Sequence, residues 1–335
     1  MSNCYCLPGK AGGLSFWAST VAELPAARVQ LSGTRVIVPP ICYPTCGSRS
    51  PMKLRRKLEQ RQLDWAQARG IETRRDERTG EALLQAVNLD DNFRVPLPDE
   101  ARTQLMRGSG GELNPPDCAT GHVYSLASSM ALCLNFMEGW HGWGVEKLAG
   151  ALGFDEDRKL RTWYDVRVPL TAKRMEAPSV DAMLVSEKGD GFMYGIEAKF
   201  CEAYDGKPRP PLTRAYADRK DLLDGWPRMQ RLARMLDGRS EDAPRRVHAA
   251  QLIRQLMVMR KNFGRSNFAL IHLWYDVDDR DARGYQAELD DIALKARQDG
   301  IAFAAKSWQQ AFKLTAGLET PEGWRDYMDS RYGLS

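Results

Sequence analysis

The sequence predicts an α/β fold, a mixed central sheet flanked by helices, and three observations carry that prediction. Apolar runs with period-2 alternation deliver three strands in close succession between residues 163 and 200. A strongly apolar stretch, Asn267 to Val277, supplies a fourth strand after a helical interval. Helical periodicity brackets the set, so the core order reads helix, three strands, helix, strand.

Taken in order, residues 1–51 are rich in Gly, Pro, Ser and Cys and show little periodicity beyond Thr34 to Val38. They read as a weakly ordered extension, with Met52 as a natural start. Met52 to Gly70 has the pattern of a basic amphipathic helix, with Leu54, Leu58 and Leu63 on one side and Lys53, Arg55, Arg56, Lys57 and Arg61 around it. Residues 71–118 contain Pro96, Pro98, Pro115, Pro116 and the glycines of 108–111, which suggests a loop-rich connection; the main domain is then expected over 119–335.

Tyr124 to Met137 is apolar on most faces, as a buried helix is, and Val145 to Leu152 forms a short helix stopped by Gly153. Trp163 to Leu170 alternates as a strand. Ala182 to Ser186 and Phe192 to Phe200, joined by the turn residues Lys188-Gly-Asp-Gly, form a β-hairpin. Helices follow over Trp226 to Leu236 and Arg245 to Lys261. After the fourth strand come a helix over Ala282 to Gln298, an edge strand over Ile301 to Ala305 and a helix from Trp308 to Thr315.

The chain has 335 residues, 43% of them hydrophobic, enough for one large core. No run of eighteen apolar residues and no signal pattern is present, so a cytoplasmic protein is expected. Its seven cysteines fit reduced thiols. Cys4-x-Cys6 and Cys42-x3-Cys46 match a zinc ribbon poorly. The four histidines lack metal-ligand spacing and read as structural. A net charge of +4 is only mildly basic, so nucleic-acid binding has to come from local clusters. Two exist: Lys53 to Arg61, and a scattered set after the hairpin that includes Arg228, Arg231 and Arg245.

Chemistry concentrates on the hairpin. Asp181 opens its first strand, while Glu197 and Lys199 sit two apart on the second and so share a face. Two converging carboxylates with an ammonium beside them can hold a hard divalent cation and position a water. One turn apart on the helix after the hairpin lie Gln251 and Gln255, with Arg254 between them.

The order Asp, about fifteen residues, then Glu-x-Lys on a hairpin resembles the PD-(D/E)XK nuclease superfamily, although Pro178 stands three residues before Asp181. Ser128 to Phe136 and Glu197-Ala-Lys-Phe-Cys-Glu are similar to a family of bacterial restriction-endonuclease-like proteins. The resemblance covers roughly residues 120–305. It implies a restriction-endonuclease-like core and a Mg²⁺-dependent (or Mn²⁺-dependent) DNA endonuclease in restriction, defence or repair. Metal ligands would be Asp181, Glu197 and the Ala198 carbonyl, with Lys199 beside the attacking water. It also implies a glutamine or basic residue aimed at the site from the following helix, for which Gln251 is the choice, and an extra acid on the first helix, for which Glu138 is placed. Arg228, Arg231 and Arg254 are the candidate DNA contacts, and a homodimer would let two sites cut both strands. An RNA-directed nuclease and a non-catalytic nucleic-acid-binding module are the alternatives.

Overall fold

A computed structural model describes residues 51–107, 112–113, 121–141, 143–154, 159–168, 177–187, 191–238 and 240–335, which belong to one compact unit, Ser50–Ser335. Residues 1–50, with the cysteine pairs Cys4/Cys6 and Cys42/Cys46, lie outside the described residues, as do Cys118 and turn residues 188–190. No helix among the described residues is long and apolar enough to cross a membrane.

The basic helix is α1, Pro51–Ala68. Its buried row runs through Leu54, Leu58, Gln62 and Trp65, leaving the expected Leu63 half-buried. A small hairpin follows, β1 (Thr73–Arg75) with β2 (Ala82–Ala86), and then helix α2, Asp99–Arg107. The loop-rich segment thus carries short elements, as its composition allows.

The buried helix α3, Ser129–Met137, begins five residues later than the apolar pattern suggests. The hydroxyl of Ser128 accepts the Ala131 N–H (3.1 Å) and caps it there. Helix α4 is Val145–Ala151, and Gly153 past its end has φ 95°. Next come β3 (Leu160–Arg167), β4 (Ser179–Ser186) and β5 (Met193–Lys199), each antiparallel to the last. Short helix α5 (Arg214–Ala217), α6 (Pro227–Asp237) and α7 (Ala249–Phe263) lead to β6 (Phe268–Trp274). Then follow α8 (Arg280–Gln298), β7 (Ala302–Ser307), α9 (Trp308–Leu314) and α10 (Trp324–Tyr332).

Helix α7 starts four residues later than expected, at Ala249. The Glu288 carboxylate on α8 accepts the backbone N–H groups of Arg245, Arg246 and Val247 at 3.1, 2.8 and 2.9 Å. Those donors are therefore engaged outside any helix. The sheet has five strands in the order β3-β4-β5-β6-β7, with β5, β6 and β7 parallel, so it is mixed, and helices flank it.

The closing helix α10 was not foreseen, and it clasps the chain to α1 through a fully buried arginine. Arg331 donates to Gln62 Oε1 (3.1 Å), the carbonyls of Asn92 (2.6 Å) and Leu126 (3.2 Å), the Tyr327 hydroxyl (2.8 Å) and the Asn92 side chain. Its guanidinium also stacks 4.3 Å from the Trp65 ring centroid. Among the described residues no carboxylate pairs with it.

Candidate active site where two strands part

The β4–β5 ladder pairs Val185 with Met193, Leu184 with Tyr194, Met183 with Gly195 and Ala182 with Ile196, and there it stops. Beyond that point β4 continues along β3 and β5 along β6, so the two strands part. Continuing the register by one step sets Asp181 opposite Glu197, at the mouth of the split. Backbone groups released from the ladder need other partners. The Ala198 N–H donates to Asp181 Oδ2 at 2.7 Å, and the Ser179 carbonyl accepts from Gln255 Nε2 at 2.8 Å.

Gln255 also donates from the same nitrogen to Glu197 Oε2, while the Lys199 ammonium pairs with Glu197 Oε1. Glu197 is fully buried and the Lys199 side chain is 12% exposed. Helix α7 comes this close because β5 has a glycine opposite it: a Cβ on Gly195 would lie 3.1 Å from Met259 Cε and 3.2 Å from Leu270 Cδ1. Trp308 steadies the strand end, its indole N–H donating to the Lys199 carbonyl at 3.1 Å.

Electrostatics follow from this packing. Burial, and then the charge of Glu197, push the Asp181 carboxyl well above the usual range, against the opposing pull of Lys199 and the Ala198 N–H. Burial alone would lower the Lys199 ammonium, but Glu197 and Asp181 outweigh it, so the group is raised and stays charged. Among the described residues no cluster of three or more His, Cys, Asp or Glu side chains is built to hold a metal. The donor set is two carboxylates, which suits a hard ion that completes its shell with water and substrate oxygens.

The structure brings together Asp181, Glu197 and Lys199, and it brings Gln255 to Glu197 where the sequence favoured Gln251. Gln251 is one turn closer to the α7 N-terminus and half-buried. A signal for Gln255 exists in its setting, since it is a polar residue flanked by Ile253, Leu256 and Met257 on the buried side of the helix. Glu138 turns elsewhere, accepting the Tyr164 hydroxyl at 2.6 Å. The basic candidates are dispersed. Arg228 pairs with Asp299 (3.3 Å), whose other oxygen caps α6 by accepting the N–H groups of Arg228 and Met229 at 2.9 Å each. Asp299 precedes β7, whereas Lys199 lies level with the end of that strand, roughly 20 Å away at about 3.3 Å per residue. Arg231 is exposed on the same helix, and Arg254 stacks 5.8 Å from the Tyr216 ring.

Two further acids, neither foreseen, lie close by. Asp165 is buried at φ 45°, where the β3–β4 register steps over it opposite Asp181. Glu112 is pushed up to about 7 by burial and by the charges of Asp165 and Glu202. Below pH 4.5 both the folded and unfolded chains hold its proton; between 4.5 and 7 only the folded chain does, so stability is lost as pH rises through that window. Glu112→Gln should flatten this dependence and leave the variant more stable than wild type at pH 8, by about 3 kcal/mol at most at about 1.36 kcal/mol per unit. Melting temperatures from about pH 4 to 8 measure it, and parallel curves for the two proteins would count against it.

Of the histidines, His272 hydrogen-bonds the Tyr285 hydroxyl at 2.9 Å inside the core, and His248 contacts Arg209 at 2.7 Å. Burial and then Arg209 lower His248 to about 4, consistent with a structural role.

No curated protein and no solved structure matches the chain. One family, described as "Restriction Endonuclease associating with ARP", matches residues 62–333, from the middle of α1 to the end of α10 and across every strand of the sheet. That span includes the parted strands and all four residues gathered there, and the chain belongs to this restriction-endonuclease-like family.

Proposed function

We propose that the protein is a metal-dependent nuclease of the PD-(D/E)XK type, hydrolysing DNA phosphodiester bonds as an endonuclease in restriction, defence or repair. The observation that carries this reading is the parting of β4 and β5, which sets Asp181, Glu197 and Lys199 at one point with their surroundings already hydrogen-bonded. Asp181 and Glu197 would hold Mg²⁺ or Mn²⁺, with the Ala198 carbonyl as a further oxygen. Such an ion, when bound, supplies positive charge to the phosphoryl oxygens and lowers the pKa of water.

The chain's own residues supply the rest. The Ala198 N–H fixes one oxygen of Asp181, and Gln255 and Lys199 each fix one oxygen of Glu197, so both carboxylates are aligned before substrate arrives. Paired with Glu197, Lys199 enters as an ammonium donor beside the two carboxylates. Its role is to orient a water for in-line attack and to offset the charge that develops on the phosphorus-bound oxygens.

Incubating the purified protein with supercoiled plasmid, linear DNA or RNA, in Mg²⁺ or in EDTA, tests the reading. Plasmid should be cut with Mg²⁺ and left intact with EDTA. Cleavage of RNA alone would make this an RNA-directed nuclease, and no cleavage of any polymer would leave a binding module of the same fold.

A further inference from the structure

Between β5 and α7 one buried guanidinium joins the two elements that meet at Glu197. The Arg209 side chain is only 6% exposed. It stands between Pro208 and Pro210, so the following proline confines its backbone to extended conformations. Toward β5, Nη2 donates to the Glu202 carbonyl at 3.1 Å and Nη1 to Asp205 Oδ1 at 2.9 Å. Toward α7, Nε donates to the Arg246 carbonyl at 2.6 Å and Nη1 meets His248 Nε2 at 2.7 Å. A guanidinium can only donate, so this nitrogen of His248 accepts.

Both ends of the bridge lead to the candidate site. Glu202 belongs to the helical turn Cys201–Tyr204, and its side chain accepts the Phe200 N–H at 3.0 Å, one residue after Lys199. Arg246 and His248 run directly into α7, and Glu288 holds the N–H groups of Arg246 and Val247 from the α8 side. Gln255 lies seven residues past His248, roughly 10 Å along the helix at about 1.5 Å per residue. Lys199 and Gln255, which hold the two oxygens of Glu197, are therefore tied to each other through Arg209. The close approach of Met259 to Gly195 sets the distance between α7 and β5. Packed helices can still slide by small amounts, and a shift of one residue's rise, about 1.5 Å, would separate Gln255 from Glu197.

We propose that Arg209 is a positioning residue for the candidate site: it fixes the height of α7 along β5, so that Gln255 meets Glu197 beside Lys199. With its side chain buried and its donors turned to four protein acceptors, Arg209 serves this bridge and not a phosphate backbone. The effect on turnover rests on the nuclease reading, whereas the effect on Gln255 does not.

The test compares full-length wild type, Arg209→Lys and His248→Leu. Lysine keeps the charge but not the planar fork, and His248→Leu removes one acceptor on the α7 side while Asp205 still offsets the guanidinium. The first readout is the side-chain amide resonance of Gln255, assigned by its absence in Gln255→Leu, together with its hydrogen-exchange rate. In both variants that resonance should move and its exchange should quicken, while thermal unfolding stays cooperative. The second readout is plasmid cleavage in Mg²⁺. For Arg209→Lys, kcat should fall by up to about 10²-fold, as for a misplacement of about 1 Å, while KM holds. In a Gln255→Leu background the same substitution should cost less than about twofold, because the contact it acts through is gone. If the resonance is unmoved in every variant that folds, or if Arg209→Lys costs as much in both backgrounds, the positioning role is wrong, and cleavage by wild type keeps the nuclease reading. If the resonance responds but wild type cuts no polymer, the nuclease reading is wrong and the positioning role stands.

Discussion

Replacing Asp181 or Glu197 by alanine is expected to abolish both divalent-ion binding and DNA cleavage, while Lys199→Ala is expected to abolish only the second. Each carboxylate is a proposed ligand, so its removal takes out about half of the protein's side-chain donors. Asp181→Ala should nevertheless fold well. Its carboxyl is raised by burial and by Glu197, so above the ordinary carboxylate range the folded chain bears a cost that the unfolded chain does not. That cost is absent at low pH and grows as pH rises, and the alanine variant should outlast wild type in metal-free buffer at neutral pH. Lys199→Ala removes an ammonium that stabilises developing charge, an effect worth roughly 10²–10³ in kcat for a comparable donor. Isothermal titration with Mg²⁺ beside a plasmid assay separates the classes. Wild-type cleavage by all three variants would remove the chemistry from this hairpin.

The second large effect concerns Arg331. Arg331→Met keeps much of the volume but deletes the guanidinium that serves Gln62, Asn92, Leu126 and Tyr327. Buried acceptors left without donors cost about 1–3 kcal/mol each before relaxation. A loss of that size should appear in the urea midpoint and lower the melting temperature by roughly 10 °C. Arg331→Lys should recover little, because one ammonium cannot reproduce a planar fork that reaches several acceptors at once. A midpoint within error of wild type for Arg331→Met would show that the clasp contributes little.

Much of the site was legible because strand chemistry is local. Period 2 puts Glu197 and Lys199 on one face, and the flanking apolar runs give the hairpin, so Asp181 meets them by ladder geometry. The element order was equally open to reading, since each strand of the sheet and each long helix carries its own period. What stayed hidden depended on contacts distant in sequence. The segment before α7 is held by Glu288, 41 residues from the nearest backbone donor it accepts. Gln251 was favoured over Gln255, and only the depth of Glu197 decides which turn of α7 lies level with it. Asp165 and Glu112 gave no signal, as neither belongs to the repeating pattern that marked the hairpin. The amphipathic pattern of α1 was visible, but not that it seats on the turn after β5.

The clasp between Gln62 and Arg331 spans 269 residues of chain. A ribosome delivers the chain from the N-terminus at about 5–20 residues per second, so α1 emerges well before its partner helix α10. Throughout that interval Leu54, Leu58 and Trp65 have only part of their final neighbours, and the strands of the candidate site can assemble before α1 is locked beside them. Completion of the native state therefore waits on α10 to leave the exit tunnel. Nascent chains arrested short of α10 should expose the α1 apolar face to chaperones and proteases, and emergence of α10 should end that exposure.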